Sequence, residues 1–255
     1  ICAKGVGAFP QLYPCDNVEC DGYTVFTNKS VAGAMRGYGI PQAMFAMESH
    51  MEDVAKAMGI PSYQLRFQNI MPKGFKDGFS KNVNYYDTFR ECMEKGNKAF
   101  RYEEKLKEFK NQTGEIRRGV GMAVFWYNTG VWPISLETSA CRMVLNQDGS
   151  IQVQVGETEI GQGADTAFAQ MAAETLGIPF EDVHVMTVQD TDITPFGLGA
   201  YASRQTYMAG FSIRQTATLL KEKILDAACE LTRQIKENMD IVNGKIVRTT
   251  DGSIL

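Results

Sequence analysis

No run of apolar residues in this sequence approaches the roughly 20 that a helix needs to cross a bilayer. Residues 1–9 lack the basic start and the apolar length of a signal peptide. Basic residues form no cluster beyond Arg117-Arg118 and a mixed segment at 105–110, and the formal net charge is −4, which argues against nucleic acid as the principal partner. We therefore expect a cytoplasmic protein with neither a membrane nor nucleic acid among its partners.

Clusters of metal-binding side chains are also missing from the sequence. The six cysteines form no C-x-x-C pair, which excludes a zinc ribbon and an iron–sulfur motif, and free thiols are expected. A disulfide between Cys15 and Cys20 is the alternative. His50 lies on the polar side of a helical pattern and His184 in an alternating strand, so both histidines are interpreted as structural. If the protein uses a metal, a histidine cluster does not hold it.

Apolar residues, in contrast, are sufficient for a sizeable core. Of the 255 residues, 44% are hydrophobic and 22% are charged, which suits one large or two ordinary domains. Amphipathic helices and short alternating strands occur in both halves without an internal repeat, and a polar stretch ending in Gly114 separates the halves. The pattern predicts an α+β fold with two mixed α/β subdomains, residues 1–115 and 116–255.

Local signals place the individual elements. Helices are predicted from Pro41 to residue 58, over 62–69, over 86–109, over 164–176 and from Ser203 onward. Strands are predicted at 23–27, 119–127, 137–145, 151–155 and 183–188, and a closing hairpin is predicted to turn at Asn243-Gly244.

One strand-to-helix junction is unusually rich in glycine. It reads Gly156-Glu157-Thr158-Glu159-Ile160-Gly161-Gln162-Gly163 and leads into the helix predicted at 164–176. Glycines let the backbone approach a ligand, and the first amides of a helix have no intrahelical acceptor, so they can bind phosphate or another anion. Because such turns commonly carry glycine for structural reasons, a plain turn is the alternative interpretation.

Three segments together carry a family resemblance. They are Ala34-Met35-Arg36-Gly37-Tyr38-Gly39-Ile40-Pro41-Gln42, the glycine-rich junction just described, and Gly199-Ala200-Tyr201-Ala202-Ser203-Arg204-Gln205-Thr206. In this order they resemble the molybdenum-binding subunit of the xanthine dehydrogenase/aldehyde oxidase family, over nearly the whole chain. Within that family the resemblance extends to the medium molybdopterin subunit of nicotinate dehydrogenase.

The resemblance implies a pterin dithiolene that binds molybdenum, so no side chain ligates the metal directly. The cofactor-binding residues it implies are Arg36 and Gly37 beside the metal, Gly161, Gln162 and Gly163 at the pterin, and Ala202, Ser203 and Arg204 at the phosphate. Ser203 also suits an ordinary helix N-cap, whereas the Arg204 guanidinium suits bidentate binding of phosphate. The Ala-Ser-Arg pattern implies molybdopterin cytosine dinucleotide, with a terminal sulfido or selenido ligand on molybdenum.

The activity implied by the resemblance is hydroxylation of an electron-poor N-heterocycle, with water as the oxygen source. Conversion of nicotinate to 6-hydroxynicotinate is the expectation, and a xanthine or purine hydroxylase stays open. The implied partners are a companion large molybdopterin subunit, an iron–sulfur subunit and an FAD subunit that take up the electrons. A noncatalytic phosphate- or nucleotide-binding module is the alternative from another class.

Catalytic and substrate residues are less well defined. The family's glutamate base, in a G-x-G-E motif, is not found before Leu255, and Glu157 and Glu159 belong to the cofactor loop, so no catalytic residue is assigned. Either the sequence is truncated or the base comes from elsewhere. The substrate residues implied by the resemblance are Lys4, Tyr13, Tyr38 and Trp132. A cation or a phenol such as Lys4 or Tyr13 would hold a carboxylate like that of nicotinate.

Overall fold

The computed structural model describes residues 2–78, 81, 83–127, 129–131 and 137–255. Its mixture of helices and strands confirms the predicted α+β class. The chain divides into two compact units, Ile1–Tyr127 and Asn128–Leu255, named here the N-terminal unit and the C-terminal unit. The subdomain boundary near residue 115 stays a prediction. No helix among the described residues is long and apolar enough to span a bilayer.

The N-terminal unit is built from helices. They are α1 (Cys2–Leu12), α2 (Ile40–Met58), α3 (Ser62–Asn69), α4 (Thr88–Phe100) and α5 (Tyr102–Glu108). Pro41 lies in the first turn of α2, where its missing N–H leaves no acceptor unpaired, and Gly59 ends the helix in the left-handed conformation. The core of this unit includes Ala8, Leu12, Ile40 and Met44, which are almost entirely buried.

Several predictions for this unit were wrong. The helix α1 was not predicted, and the helix expected at 86–109 is interrupted at Arg101, whose φ of 55° separates α4 from α5. Residues 23–27 and 119–127, both fully described, form no strand. Their alternating patterns are typical of strands, but a strand forms only where a neighbouring backbone supplies the ladder of hydrogen bonds.

The C-terminal unit has a small sheet covered by two helices. Strands β1 (Cys141–Leu145), β2 (Ile151–Val155) and β3 (Val183–Val185) lie in the order β1-β2-β3, with β1 antiparallel and β3 parallel to β2. The helices are α6 (Ala164–Leu176) and α7 (Gln205–Thr232), and a hairpin of β4 (Met239–Val242) and β5 (Lys245–Arg248) follows. Val153, Phe168, Ala172 and Ile213 are among its fully buried core residues.

Two loops of this unit meet without side chains between them. A Cβ atom added at Gly156 would lie 2.3 Å from the Gly197 backbone nitrogen, far inside van der Waals contact. Glycine is therefore required where the segment after β2 meets the segment before α7. This contact brings the glycine-rich junction close to the N-terminus of α7.

Candidate cofactor site

A carboxylate of the glycine-rich junction itself is hydrogen-bonded to the backbone amides around it. The Glu159 carboxylate accepts hydrogen bonds from the backbone amides of Gly161 at 2.7 Å, Gly163 at 3.0 Å and Asp165 at 3.1 Å. These hydrogen bonds, that of Asp165 foremost, hold the pKa of Glu159 below its usual value. Amides near the start of α6 that were expected to bind a ligand anion are thus occupied by a carboxylate of the chain itself.

The glycines of this junction leave open space beside the backbone. Gly161 and Gly163 have φ angles of 93° and 86°, in the left-handed region that favours glycine. A Cβ atom built on either one would meet no described atom within 4 Å. The structure therefore combines a conformation suited to glycine with room for a ligand at both positions.

Between these glycines lies Gln162, which is exposed, but the oxygen and the nitrogen of its side-chain amide are both hydrogen-bonded. Its Oε1 accepts from the Ile160 amide at 2.8 Å, and its Nε2 donates to Oε1 of Gln205. Gln205 is only 7% exposed and donates its own Nε2 to the Thr158 carbonyl at 2.8 Å. The predicted pterin-binding residue therefore has a fixed amide orientation.

Arg204 is fully buried, and its guanidinium is directed into the protein. It donates to the carboxylates of Glu137 and Glu157, the latter at 3.0 Å, and to the carbonyls of Thr138 and Gly199, the latter at 3.1 Å. In this arrangement its donors join three segments of the C-terminal unit. Direct binding of phosphate by Arg204 stays a prediction, and would require some of these bonds to be exchanged.

The N-terminus of α7 offers backbone donors beside Ser203. Ala202 and Ser203 have φ angles of 49° and 54° and form the turn before the helix. Arg204, and not Ser203, occupies the N-cap position, so the exposed Ser203 is not the ordinary helix cap considered above. The first intrahelical bond runs from the Met208 amide to the Arg204 carbonyl at 2.7 Å. The amides of residues 205–207 therefore have no intrahelical acceptor and are suited to an anion.

The Arg-Gly-Tyr-Gly segment forms a tight turn before α2. Gly37, Tyr38 and Gly39 all have positive φ angles, and the Tyr38 amide donates to the Met35 carbonyl at 2.7 Å. A Cβ atom at Gly37 would lie 2.5 Å from Cγ of Pro41, so glycine is required there. Arg36 and Tyr38 are exposed on this turn, where they are accessible to a ligand.

The predicted substrate residues of the N-terminal unit have different environments. The Tyr13 hydroxyl donates to Glu48 at 2.6 Å. Burial is the main cause that raises the pKa of this phenol, and the hydrogen bond to Glu48 raises it further. Lys4 lies over the ring of Tyr127 at 5.7 Å from its centroid, and burial lowers the pKa of its amine. The remaining predicted substrate residue, Trp132, is not part of this unit and lies outside the described residues.

A second buried polar cluster surrounds Glu48. This carboxylate accepts from Nε of the fully buried Arg66 at 2.7 Å and from the Val124 amide at 2.9 Å, besides the Tyr13 hydroxyl. Tyr13 is therefore a member of an interior hydrogen-bond network. The role of Tyr13 in substrate binding stays a prediction, and its hydroxyl would have to leave Glu48 to reach a carboxylate.

Sequence reasoning missed Glu137 and Gln205. Glu137 lay in a predicted strand and Gln205 at the start of a predicted helix, where each has an ordinary structural explanation. The available signal for Gln205 was its position directly after the Ala-Ser-Arg pattern, since the first residue of a helix points toward whatever precedes that helix. No sequence signal pairs Glu137 with an arginine 67 residues away.

The residues present fit a phosphate-bearing pterin. The α7 amides and the Ser203 hydroxyl are suitable phosphate donors, the oriented Gln162 amide suits a heterocycle, and Gly161 and Gly163 leave space. In the described part of the chain, no group of three or more His, Cys, Asp or Glu side chains is placed to hold a metal ion. This donor set suits a metal that arrives on its own organic ligand.

Comparison with known proteins gives the same assignment. Residues 1–70 and 91–254 each match a molybdopterin cofactor-binding domain. The chain is 45% identical over 247 residues to the putative xanthine dehydrogenase molybdenum-binding subunit of Escherichia coli (strain K12), covering 97% of this chain and 33% of that protein. It is 28% identical over 250 residues to subunit gamma of the 6-hydroxypseudooxynicotine dehydrogenase complex of Paenarthrobacter nicotinovorans, covering 91% of this chain and 30% of that protein.

The crystal structure of the aldehyde oxidoreductase from Desulfovibrio desulfuricans ATCC 27774 superimposes with a TM-score of 0.74 at 26% identity, covering all of this chain and 29% of that one. This chain thus spans about a third of the length of the two sequence relatives named above. These relatives do not confirm the narrower resemblance to nicotinate dehydrogenase. Because molybdopterin-binding domains match most of its residues, the chain belongs to the molybdopterin cofactor-binding domain family.

Proposed function

We propose that this chain is the cofactor-binding part of a molybdenum hydroxylase of the xanthine dehydrogenase family. The reaction proposed is hydroxylation of an electron-poor carbon in an N-heterocycle, with water as the source of oxygen. Two of the three family motifs lie in the C-terminal unit, and they contact each other. The hydrogen bond from Gln162 of one motif to Gln205 of the other is the observation that carries the proposal. The relative named as a xanthine dehydrogenase subunit supports the same reaction class.

When bound, the molybdenum pterin supplies a Lewis acid that activates water and accepts two electrons. The residues of this chain would bind and orient it. We propose that the amides of residues 205–207 and the Ser203 hydroxyl hold the phosphate and that Gln162 hydrogen-bonds the pterin. Arg36 and Gly37 of the N-terminal unit are proposed as further cofactor-binding residues on the basis of the family resemblance.

Arg204 is proposed to support the phosphate site from the protein interior. Its guanidinium joins Glu157 of the glycine-rich junction to Glu137 and to the Thr138 carbonyl, so it fixes the backbone on which the cofactor would rest. Two carboxylates already balance its charge, which lessens its attraction for a further anion. A direct guanidinium–phosphate contact is the alternative role.

No base is assigned within this chain. Glu157 is fully buried and paired with Arg204, and Glu159 accepts three backbone amides of its own loop, which supports a structural role for both carboxylates. Proton abstraction from water needs a carboxylate that can reach the reacting atoms. We propose that the base lies outside these 255 residues, either on a longer form of the same polypeptide or on another chain of the assembly.

The cofactor form and the partners are proposed together. The Ala202-Ser203-Arg204 pattern supports molybdopterin cytosine dinucleotide, with a sulfido or selenido ligand on the metal. A companion large molybdopterin subunit, an iron–sulfur subunit and an FAD subunit are proposed to complete the enzyme. One relative is named as a subunit of a dehydrogenase complex, which supports a multi-subunit arrangement.

Two N-heterocycles are candidate substrates for the proposed hydroxylation. Nicotinate is the prediction from sequence, whereas the name of the 45% identical relative favours xanthine. The hydroxyl of Tyr13, proposed to bind a substrate carboxylate, is hydrogen-bonded to Glu48 in this structure, which weakens the specific case for nicotinate. Turnover of each compound by the purified complex, with an artificial electron acceptor, distinguishes them.

Elemental analysis of the complex that co-purifies with this chain tests the proposed function. We expect near-stoichiometric molybdenum, together with iron and flavin, and release of a cytidine nucleotide on denaturation. Selenium in the same preparation would identify the selenido form. Absence of both molybdenum and nucleotide from freshly isolated, intact complex would contradict the proposal and favour a noncatalytic anion-binding module.

A further inference from the structure

Gln205 makes two hydrogen bonds, and its side chain has no assigned role so far. It is the first residue of α7, and its side chain is buried at 7% exposure. Its Nε2 donates to the Thr158 carbonyl at 2.8 Å and its Oε1 accepts from Nε2 of Gln162. Among the described residues, the oxygen and the nitrogen of this buried amide both find their partners in the glycine-rich junction.

The partner of Gln205 is an exposed side chain with little freedom left. Besides donating to Gln205, Gln162 accepts at Oε1 from the Ile160 amide at 2.8 Å. An amide side chain has two N–H donors and two acceptor lone pairs. Among the described residues, one donor and one lone pair of Gln162 are thus left for a ligand, and both have defined directions.

The position of Gln205 is itself fixed by its neighbour. Arg204 is bonded to Glu157 at 3.0 Å, so residues 204 and 205 hold residues 157, 158 and 162 by consecutive side chains. The backbones also touch at Gly156 and Gly197, which limits sliding of one loop along the other. The position of Gln205 is therefore fixed by its surroundings, and its hydrogen bond can in turn fix the orientation of the Gln162 amide.

We propose that Gln205 is a positioning residue, which orients the Gln162 amide so that its remaining donor and acceptor face the pterin. The inference rests on the proposed function, because it assumes that Gln162 binds the cofactor. A glutamine free to rotate loses conformational entropy when it binds, and a glutamine held in advance does not. Loss of Gln205 should therefore weaken cofactor retention even though Gln205 does not itself touch the pterin.

The test compares Gln205→Met, Gln162→Ala and the double variant in the intact complex. Methionine keeps the length and the burial of residue 205 while removing both hydrogen bonds. The measured quantities are molybdenum per chain as isolated and the rate of nucleotide release in mild denaturant. Gln215→Ala, at an exposed glutamine of the same helix, is the matched control.

We expect Gln205→Met to speed nucleotide release several-fold and Gln162→Ala to do so at least as strongly. Because Gln205 acts through Gln162, the double variant should release no faster than Gln162→Ala alone. A merely structural contribution would add to the effect of Gln162→Ala and would lower the unfolding temperature in proportion. The Gln215→Ala complex should behave as the unaltered one.

The outcomes separate the inference from the function on which it rests. Unaltered complex without molybdenum overturns both. Complex that contains molybdenum, and that retains it unchanged in Gln205→Met, overturns the positioning role while the proposed function stands. Additive acceleration in the double variant also overturns it, because Gln205 would then act independently of Gln162.

Discussion

Arg204 and Glu157 form an ion pair in which neither side chain is exposed, with Nη1 3.0 Å from Oε1. Such a pair is held away from water, so each charge depends on the other for compensation. Glu157 also accepts a hydrogen bond from the Ser139 hydroxyl at 2.8 Å, and Arg204 reaches Glu137 as well. The start of α7 is therefore built on a largely buried charge cluster.

Removal of one member of this cluster should be costly. We expect Arg204→Ala to lower the free energy of unfolding by about 3–5 kcal/mol, because it leaves the fully buried Glu157 carboxylate without compensation. Chemical denaturation of the isolated chain or of the complex measures this change. Arg142→Ala, at an exposed arginine of β1, serves as the control and should change stability little.

A double variant separates the pair from the rest of the cluster. Arg204→Met combined with Glu157→Gln should cost less than the sum of the two single changes, since the second removes a charge that the first leaves uncompensated. Additive costs would show that Glu157 and Arg204 are not energetically coupled. Molybdenum content measured on the same proteins tells whether a loss of cofactor follows the loss of stability.

The loop around Glu159 should loosen in acid. Its carboxylate has a pKa below the usual value because backbone amides donate to its charged form. A group with a depressed pKa in the folded state stabilises that state above its unfolded pKa, and the contribution is lost as the pH falls through the depressed value. We expect the Gly161, Gly163 and Asp165 amides to lose protection from hydrogen exchange over that acidic range.

Glu159→Gln should reproduce the acid effect at neutral pH, because a neutral amide accepts these hydrogen bonds more weakly. Hydrogen exchange at pH 7 is the measurement. Glu174→Gln, at an exposed position on α6, is the matched control and should leave the loop protected. Unchanged protection in Glu159→Gln would show that the charge does not hold the loop.

Tyr13→Phe distinguishes a structural role from a substrate-binding role. Removing the hydroxyl takes away a hydrogen bond to the Glu48 carboxylate, and we expect a loss of about 1.5–3 kcal/mol in the free energy of unfolding. If Tyr13 also binds a carboxylated substrate, Tyr13→Phe should reduce the affinity for that substrate more than it reduces the turnover number. Unchanged affinity would remove Tyr13 from the substrate site. Tyr86→Phe, at an exposed tyrosine, controls for loss of a hydroxyl.

Gly37→Ala tests the turn before α2. The change places a methyl group 2.5 Å from the Pro41 ring at a φ angle of 97°, so we expect a loss of at least about 1–2 kcal/mol in unfolding free energy. Gly33→Ala is a suitable control, because its Cβ atom would meet no described atom within 4 Å and its φ angle is not positive. Equal stability of the two variants would contradict this requirement for glycine.

Elements with local signals were predicted well from the sequence. Residues 62–69 and 164–176 form helices over the predicted ranges, because the signals for their starts and ends lie within a few residues of each helix. Residues 151–155 form a strand as predicted, since the turn at 146–149 brings β1 directly beside it. These are cases in which neighbours in sequence are also neighbours in space.

Features that depend on contacts between residues distant in sequence could not be predicted. The segments 23–27 and 119–127 have the composition of strands, but pairing depends on a partner that a single sequence pattern does not identify. The burial of Arg204 depends on Glu157 and Glu137, which lie 47 and 67 residues away. The family resemblance implied that Arg204 binds phosphate, and no sequence signal indicated the interior carboxylates with which it is paired.

The backbone contact between Gly156 and Gly197 makes the two loops mechanically dependent. With no side chain between them to deform, a shift of either loop away from the other opens a gap, and a shift toward it is blocked. The distance between the glycine-rich junction and the segment before α7 is therefore set before any ligand arrives. A cofactor bound as proposed above would meet both loops at a spacing that the chain itself has fixed.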